Sequence, residues 1–221
     1  MDSSTKYLTH DISIKKYLYF GVKRLFDILI ALIGCLFLLP IILIVKISYL
    51  LHKDFDSIFF RQKRIGKNGK EFNLYKFRSM VPNADEVLKE LLKNDEAARK
   101  EYKVNKKLKN DPRVTSMGKI LRVTSLDELP QFINIFKGEM SLIGNRPYLP
   151  REKEDMGLYY NDIIKTKPGL SGLWQVMGRS NTTFEERLKL EQYYSNNFGF
   201  RIDIKIFFKT FGVVLKHKGA K

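Results

Sequence analysis

One stretch stands apart from the rest of the chain in its pattern of apolar and polar positions. From Ile28 to Val45, 18 residues carry no charged side chain, and 14 of them are Leu, Ile, Val or Phe. No polar face emerges at any helical spacing, so a membrane segment is a better reading than a buried core helix. At about 0.3–0.6 kcal/mol each, these side chains favour the bilayer by about 4–8 kcal/mol. A straight helix over this run measures about 27 Å, barely the hydrocarbon thickness. Pro40 sits two-thirds of the way along, where it removes a helix hydrogen bond and favours a kink. The long segment before the run, with no small-x-small pattern after it, argues against a cleaved signal peptide.

Downstream the pattern becomes that of a water-soluble body. Ile58 to Phe77 reads as a β-hairpin around Asn68-Gly69. Pro82 to about Val104 reads as one charged helix with Leu88, Leu91 and Leu92 on one side. Asp111-Pro112 breaks the chain. A helix is expected to begin near Ser125, followed by an irregular stretch from Gly138 through Arg179. Two helices, Thr183–Asn196 and Asp203–Lys216, close the chain. In the last, Ile204, Phe207, Phe208, Phe211, Val214 and Leu215 form one apolar sector, with Lys205, Lys209 and Lys216 opposite. That stripe suits either a protein core or a membrane interface. The fold class expected is α+β, mainly helical.

Charge decides how the apolar run is placed. Lys and Arg number 40 against 24 Asp and Glu, a formal +16, and 44 % of residues are hydrophobic. A core can be built, which excludes a disordered basic tail. The excess charge calls for an anionic partner: nucleic acid, phosphorylated substrates or acidic lipid. Five basic groups lie in residues 5–24 and five in residues 46–65. By the positive-inside rule both ends of the run want the same side, which a re-entrant hairpin satisfies; a simple single span is the alternative. Asp27 at the entrance is then expected near lipid headgroups. The chain divides into an N-terminal cytoplasmic segment (1–24), a re-entrant membrane helix (25–50) and a cytoplasmic catalytic domain (51–221). Cys35 is the sole cysteine, so no intrachain disulfide or cysteine-rich zinc site exists.

Candidate chemistry is concentrated in one place. No P-loop, dinucleotide-binding turn or zinc-protease motif occurs. Asp54-Phe55-Asp56 has the D-x-D form but lacks a preceding nucleotide-binding unit, and reads as a solvated loop. Thr124-Ser125-Leu126-Asp127-Glu128-Leu129-Pro130-Gln131 is more informative. Ser125 and Glu128 fit a capping box. Adjacent acids at a helix start, with Arg113, Lys119 and Arg122 before and Arg146 after, also suit phosphoryl transfer. One carboxylate can attack phosphorus, and Mg²⁺ shared between carboxylate and phosphate oxygens would reduce anion–anion repulsion.

These segments resemble the bacterial sugar transferases, the monotopic polyprenyl-phosphate phosphoglycosyl transferases. The match runs in order through Arg61-Gln62, Lys76-Phe77-Arg78-Ser79-Met80, Asp111-Pro112-Arg113 and the Leu121–Gln131 block. It continues through Gly138–Gly144 with Arg146-Pro147, and Lys167–Val176 with Gly178-Arg179. The charged insertion is most similar to undecaprenyl-phosphate galactose phosphotransferases. The resemblance implies that Asp127 attacks the β-phosphorus of a UDP-sugar, releasing UMP, and that undecaprenyl phosphate then takes the sugar phosphate. Glu128 corresponds to the partner acid; Asp127 and Glu128 are the implied Mg²⁺ ligands. Lys76, Arg122, Arg146 and Arg179 correspond to phosphate- and nucleotide-binding positions, with a UDP-hexose (galactose or glucose) as donor. Asp203 resembles a family acid, although a helix N-cap explains it equally well. A bacterial inner (cytoplasmic) membrane location is implied, with the site on the cytoplasmic face, anionic lipid as a partner and no nucleic acid. A homo-oligomer is compatible with all of this. Two departures stand out. Leu39-Pro40 replaces the Ser-Pro of the helix break, and Asn145-Arg146-Pro147 replaces Pro-Arg-Pro, an exchange expected to loosen that loop. The competing reading, a membrane-tethered nucleic-acid-binding protein, predicts salt-sensitive binding indifferent to Asp127.

Overall fold

In the computed structural model, which describes residues 3–105, 108–178 and 182–215, the apolar run belongs to a single helix, α1 (Ser3–Leu51). Its backbone stays helical through Pro40, so the break expected at Leu39-Pro40 is not present. Residues 14–51 are long and apolar enough to cross a membrane.

One face of α1 is nevertheless committed to protein. Asp27, Ala31, Leu38, Val45 and Tyr49 are buried, and their spacing is that of a heptad seam. Between Asp27 and Tyr49 the seam runs for about 33 Å at 1.5 Å per residue. Gly34 lies on it: a Cβ there would come within 2.5 Å of the Phe132 ring. Only glycine allows so close an approach. The other faces expose Leu29, Ile33, Leu36, Phe37, Leu43 and Ile44. Sequence patterning saw a helix apolar all round; tertiary packing divides it into a protein-facing seam and an uncovered apolar surface.

The predicted hairpin forms. Strands β1 (Phe59–Ile65) and β2 (Glu71–Phe77) pair antiparallel, with Phe59 opposite Phe77 and Ile65 opposite Glu71. Asn68 and Gly69 both take positive φ in the turn, the conformation that favours this dipeptide. The expected single charged helix is two, α2 (Ala84–Asn94) and α3 (Glu96–Asn105). Asp95 between them is extended and accepts a hydrogen bond from the Ala98 amide at 2.9 Å, while Arg99 donates to the Leu92 and Lys93 carbonyls. An aspartate that caps the second helix ends the first.

Next come α4 (Ser116–Val123), a 3-10 turn at Leu126–Glu128, and α5 (Gln131–Lys137). The stretch expected to be irregular contains two short strands, β3 (Ser141–Ile143) and β4 (Gly169–Ser171), paired parallel. It also holds the short helices α6 (Lys153–Met156), α7 (Tyr160–Ile163) and α8 (Leu173–Met177). Helices α9 (Phe184–Asn197) and α10 (Phe200–Leu215) close the chain, α9 under a Thr183–Glu186 capping box.

The core is assembled around α1. Leu38, Val45 and Tyr49 pack with Ile58, Phe77 and Leu121, and Ala31 packs with Leu74, Ile135 and Met140. Asn134 of α5, fully buried, closes the free edge of the hairpin: its Oδ1 accepts from the Tyr75 amide (3.0 Å) and its Nδ2 donates to the Asn73 carbonyl (2.7 Å). A side-chain amide here substitutes for a neighbouring strand. Helix α10 buries Ile206 and leaves Ile204, Phe208 and Phe211 exposed, so its apolar stripe is only partly used by the core.

Candidate active site

Asp127 and Glu128 lie in the 3-10 turn, not in an α-helix, and the capping box is not made. Ser125 adopts the left-handed conformation (φ 59, ψ 17), and its side chain caps nothing. A non-glycine residue in that region is under modest backbone strain, a common property of functional turns. The turn's carboxylates are thereby released to face β2.

Lys76 is the residue they meet. Its Nζ lies 2.7 Å from Glu128 Oε1 and 4.0 Å from Asp127 Oδ2. The Asp127 side chain is 13 % exposed and that of Glu128 42 %, but neighbouring charge rather than exposure separates their protonation. Burial pushes the Asp127 carboxyl up to about 6; Lys76 pulls it down, and the Glu128 charge adds to the rise. For Glu128, burial also opposes ionisation, but Lys76, with Arg146 and Arg64 beyond it, outweighs that and holds the group below the ordinary glutamate range. One lysine thus keeps two neighbouring acids usable as anions.

Arg122 completes this end of the site. It sits one turn after Gly118 on α4, and a Cβ on Gly118 would fall 2.0 Å from the Ser79 carbonyl oxygen. That close approach brings Arg122 Nε to 2.9 Å from Ser79 Oγ. The Lys76–Ser79 block is therefore divided among tasks. Lys76 faces the dyad, Phe77 is core, Arg78 pairs with Asp54 at 2.7 Å, and Ser79 holds Arg122. The Arg78 ion pair gives Asp54 a structural partner, where a solvated loop was expected.

Arg146 approaches from the loop after β3. Its amide donates to Oε1 of the buried Glu191 (3.0 Å), and its guanidinium lies over Trp174, 5.6 Å from the ring centroid. Asn145 does not loosen this loop. Its Nδ2 is buried and donates to the Ile163 carbonyl (3.1 Å), Thr166 Oγ1 (3.3 Å) and Ser195 Oγ (2.6 Å). Arg179 falls outside the described residues. Trp174 belongs to a matched block that assigns it no role, and Arg187 and Glu191, one turn apart on α9, belong to no motif; the Arg146 loop brings the three together.

Asp203 lies inside α10, so it is no N-cap. Its Oδ2 accepts from Tyr19 Oη (2.8 Å) and Lys23 Nζ (2.5 Å), and its Oδ1 from Tyr194 Oη (2.8 Å). It ties α1, α9 and α10 together. Asp27 is buried too, not at a headgroup: its Oδ1 accepts from Ser141 Oγ (3.1 Å) and the Leu142 amide (2.9 Å).

The profile of the bacterial sugar transferase family matches residues 18–217, and the chain belongs to that family. It is 44 % identical, over 90 % of its length, to the undecaprenyl-phosphate galactose phosphotransferase of Salmonella typhimurium, of which it covers 41 %. It is 41 % identical to the exopolysaccharide production protein ExoY of Sinorhizobium fredii, covering 90 % of this chain and 87 % of that one. Galactosyl transferase CpsE of Streptococcus agalactiae is also 41 % identical, over 97 % of this chain and 46 % of the relative. The chain thus spans under half of the Salmonella and Streptococcus proteins.

Proposed function

We propose that the protein transfers a sugar 1-phosphate from a UDP-hexose to undecaprenyl phosphate at the start of a surface-polysaccharide assembly. The observation that carries this is a half-buried Asp127 beside Lys76 and Glu128, inside a family-matched chain. An Asp127 carboxylate oxygen attacks the β-phosphorus. The bond from that phosphorus to the bridging oxygen breaks, UMP leaves with the electron pair, and a sugar-phosphoryl aspartate remains. An oxygen of undecaprenyl phosphate then attacks the same phosphorus and frees Asp127, giving undecaprenyl-diphosphate-sugar. Lys76 and Arg122 neutralise phosphate charge, and Arg146 does so from the other side. Galactose is the favoured sugar because two similar proteins carry galactose in their names.

Mg²⁺ fits the donor set. Among the described residues there is no cluster of three or more metal-binding side chains. A pair of carboxylates with phosphate oxygens and water is, however, the usual magnesium environment. Asp127 and Glu128 would hold it, and it would supply charge neutralisation on the diphosphate.

The membrane reading follows α1. Its start is held to Asp203 through Tyr19 and Lys23, and its end to Arg78 through the Tyr49 hydroxyl and ring. Two ends bound to one body favour a single-face attachment, on the cytoplasmic side of the inner membrane, with the exposed apolar surface among lipid chains and anionic headgroups against Lys205 and Lys209 of α10. The decisive test combines UDP-galactose with the purified protein and Mg²⁺, followed by intact-mass measurement. A mass increase of one phosphohexose, absent in Asp127→Asn, is expected. UMP release by Asp127→Asn at the normal rate would sink the covalent route.

A further inference from the structure

Beyond the acid pair lies a second cluster of charge with a different composition. Arg146 and Arg187 both lie over the indole of Trp174, with their guanidinium carbons 5.6 Å and 4.3 Å from its centroid. Neither Nε has a hydrogen-bond partner, nor do Arg64 Nε and Trp174 Nε1, and all four are buried. The Arg146 and Arg187 side chains make no salt bridge among the described residues. Two guanidinium groups have thus been brought together by stacking on one aromatic ring without a direct ion pair among the described residues; Glu128 acts on Arg146 and Glu152 on Arg187 only from beyond salt-bridge distance.

The nearest carboxylate does not fill that role. Glu191 is 1 % exposed; its Oε1 accepts the Arg146 amide, and its Oε2 is unpartnered. Burial raises its pKa to about 8 despite both arginines, so it is mainly neutral at pH 7. Burial and the Arg146 charge also lower Arg187, and push Arg64 down to about 10. A donor-rich surface whose arginines make no direct ion pair with an acid is what an anion with several oxygens requires.

We infer that Arg187, stacked with Arg146 on Trp174, is a phosphate-binding residue of the donor or acceptor site, with Glu191 as the positioning residue that holds the Arg146 loop. This rests on the transferase reading for the identity of the phosphate, which comes either from the nucleotide or from the polyprenyl chain. The physical claim is narrower: the Arg146–Trp174–Arg187 stack binds a phosphate.

Trp174 is the chain's only tryptophan, so its fluorescence reports on this stack directly. The full chain in detergent micelles is titrated with UMP in one arm and with undecaprenyl phosphate in the other. Arg187→Ala is expected to weaken binding in at least one arm by about 10–100-fold, the loss of a charge-assisted contact. Arg187→Lys is expected to restore only part, because an ammonium lacks the planar fork. Loss in the UMP arm assigns the nucleotide phosphate; loss in the lipid arm assigns the acceptor. Unchanged affinity in both arms, for a variant that melts like the wild type, overturns the inference. Should Arg187→Ala unfold, Arg187→Lys is judged alone, and full wild-type affinity then overturns it. Neither arm contains a sugar donor, so binding is read without turnover and failure of the covalent route leaves this result readable.

Discussion

Lys76 Nζ is 2.7 Å from Glu128 Oε1, a contact that joins the end of β2 to a turn 52 residues later in the chain. The pair brings together the two most distinctive blocks of the sequence. Glu128 without its lysine would face Asp127 with only the more distant arginines to offset the repulsion. Replacing Lys76 by Met is therefore expected to lower kcat/KM for UMP release by about 10–100-fold, the worth of a charge-assisted hydrogen bond. Lys76→Arg should lose less. A methionine variant within twofold of wild type would show that the pair is only structural.

Stability should depend on pH through Glu191. Its buried carboxyl faces Arg146 and Tyr148 from the loop after β3, and Arg187 from one turn earlier on α9. Its folded-state pKa, about 8, lies above the ordinary glutamate value of 4.5. Between those limits the folded protein holds a proton that the unfolded chain releases. Its stabilising contribution is thus complete below about pH 4.5 and is lost as pH rises through about 8. Melting temperatures of wild type and Glu191→Gln, compared from pH 5 to 8.5, should show the wild type losing ground as pH rises. Parallel curves would contradict the assignment.

Two glycines of α1 should respond in opposite directions. A side chain at Gly34 meets the Phe132 ring, so Gly34→Leu is expected to cost about 1–3 kcal/mol through overpacking. A Cβ at Gly21 meets nothing within 4 Å, so Gly21→Ala should gain up to about 1 kcal/mol of helix propensity. Denaturation midpoints in detergent micelles measure both. Equal effects at the two sites would mean that α1 does not dock through Gly34.

Topology can be read by labelling. In a Cys35→Ser background, Lys16→Cys and Phe55→Cys place thiols beyond either end of the apolar run, both exposed in the native structure. An impermeant maleimide should modify both in inverted inner-membrane vesicles and neither in intact cells. Labelling of one from each side would establish a crossing helix.

How much could be read in advance depended on the range of the interaction. The hairpin was legible because Asn68-Gly69 encodes its turn within two residues. Helix α9 was legible because Thr183 and Glu186 are three apart. The break at Asp95 was missed because charged, helix-favouring residues continue on both sides of it while a single side chain starts the next helix. Ser125 was misread for a related reason. Its spacing to Glu128 fits a capping box, yet the contact that Glu128 makes is with Lys76, far away in the chain.

The sequence alone determined the apolar helix, the two-sided flank of basic residues, the acid pair and the family. These are properties of composition and local spacing. Tertiary structure decided the rest. It ran α1 unbroken through Pro40 and chose which of its apolar residues face protein. It moved Asp27 and Asp203 from a headgroup and a cap into hydrogen-bonded ties between elements. It placed Arg187 and Trp174 beside Arg146. Each of those outcomes depends on burial and on the meeting of charges from distant segments. Burial changes what a charge costs, and no local pattern records which distant partner will offset it.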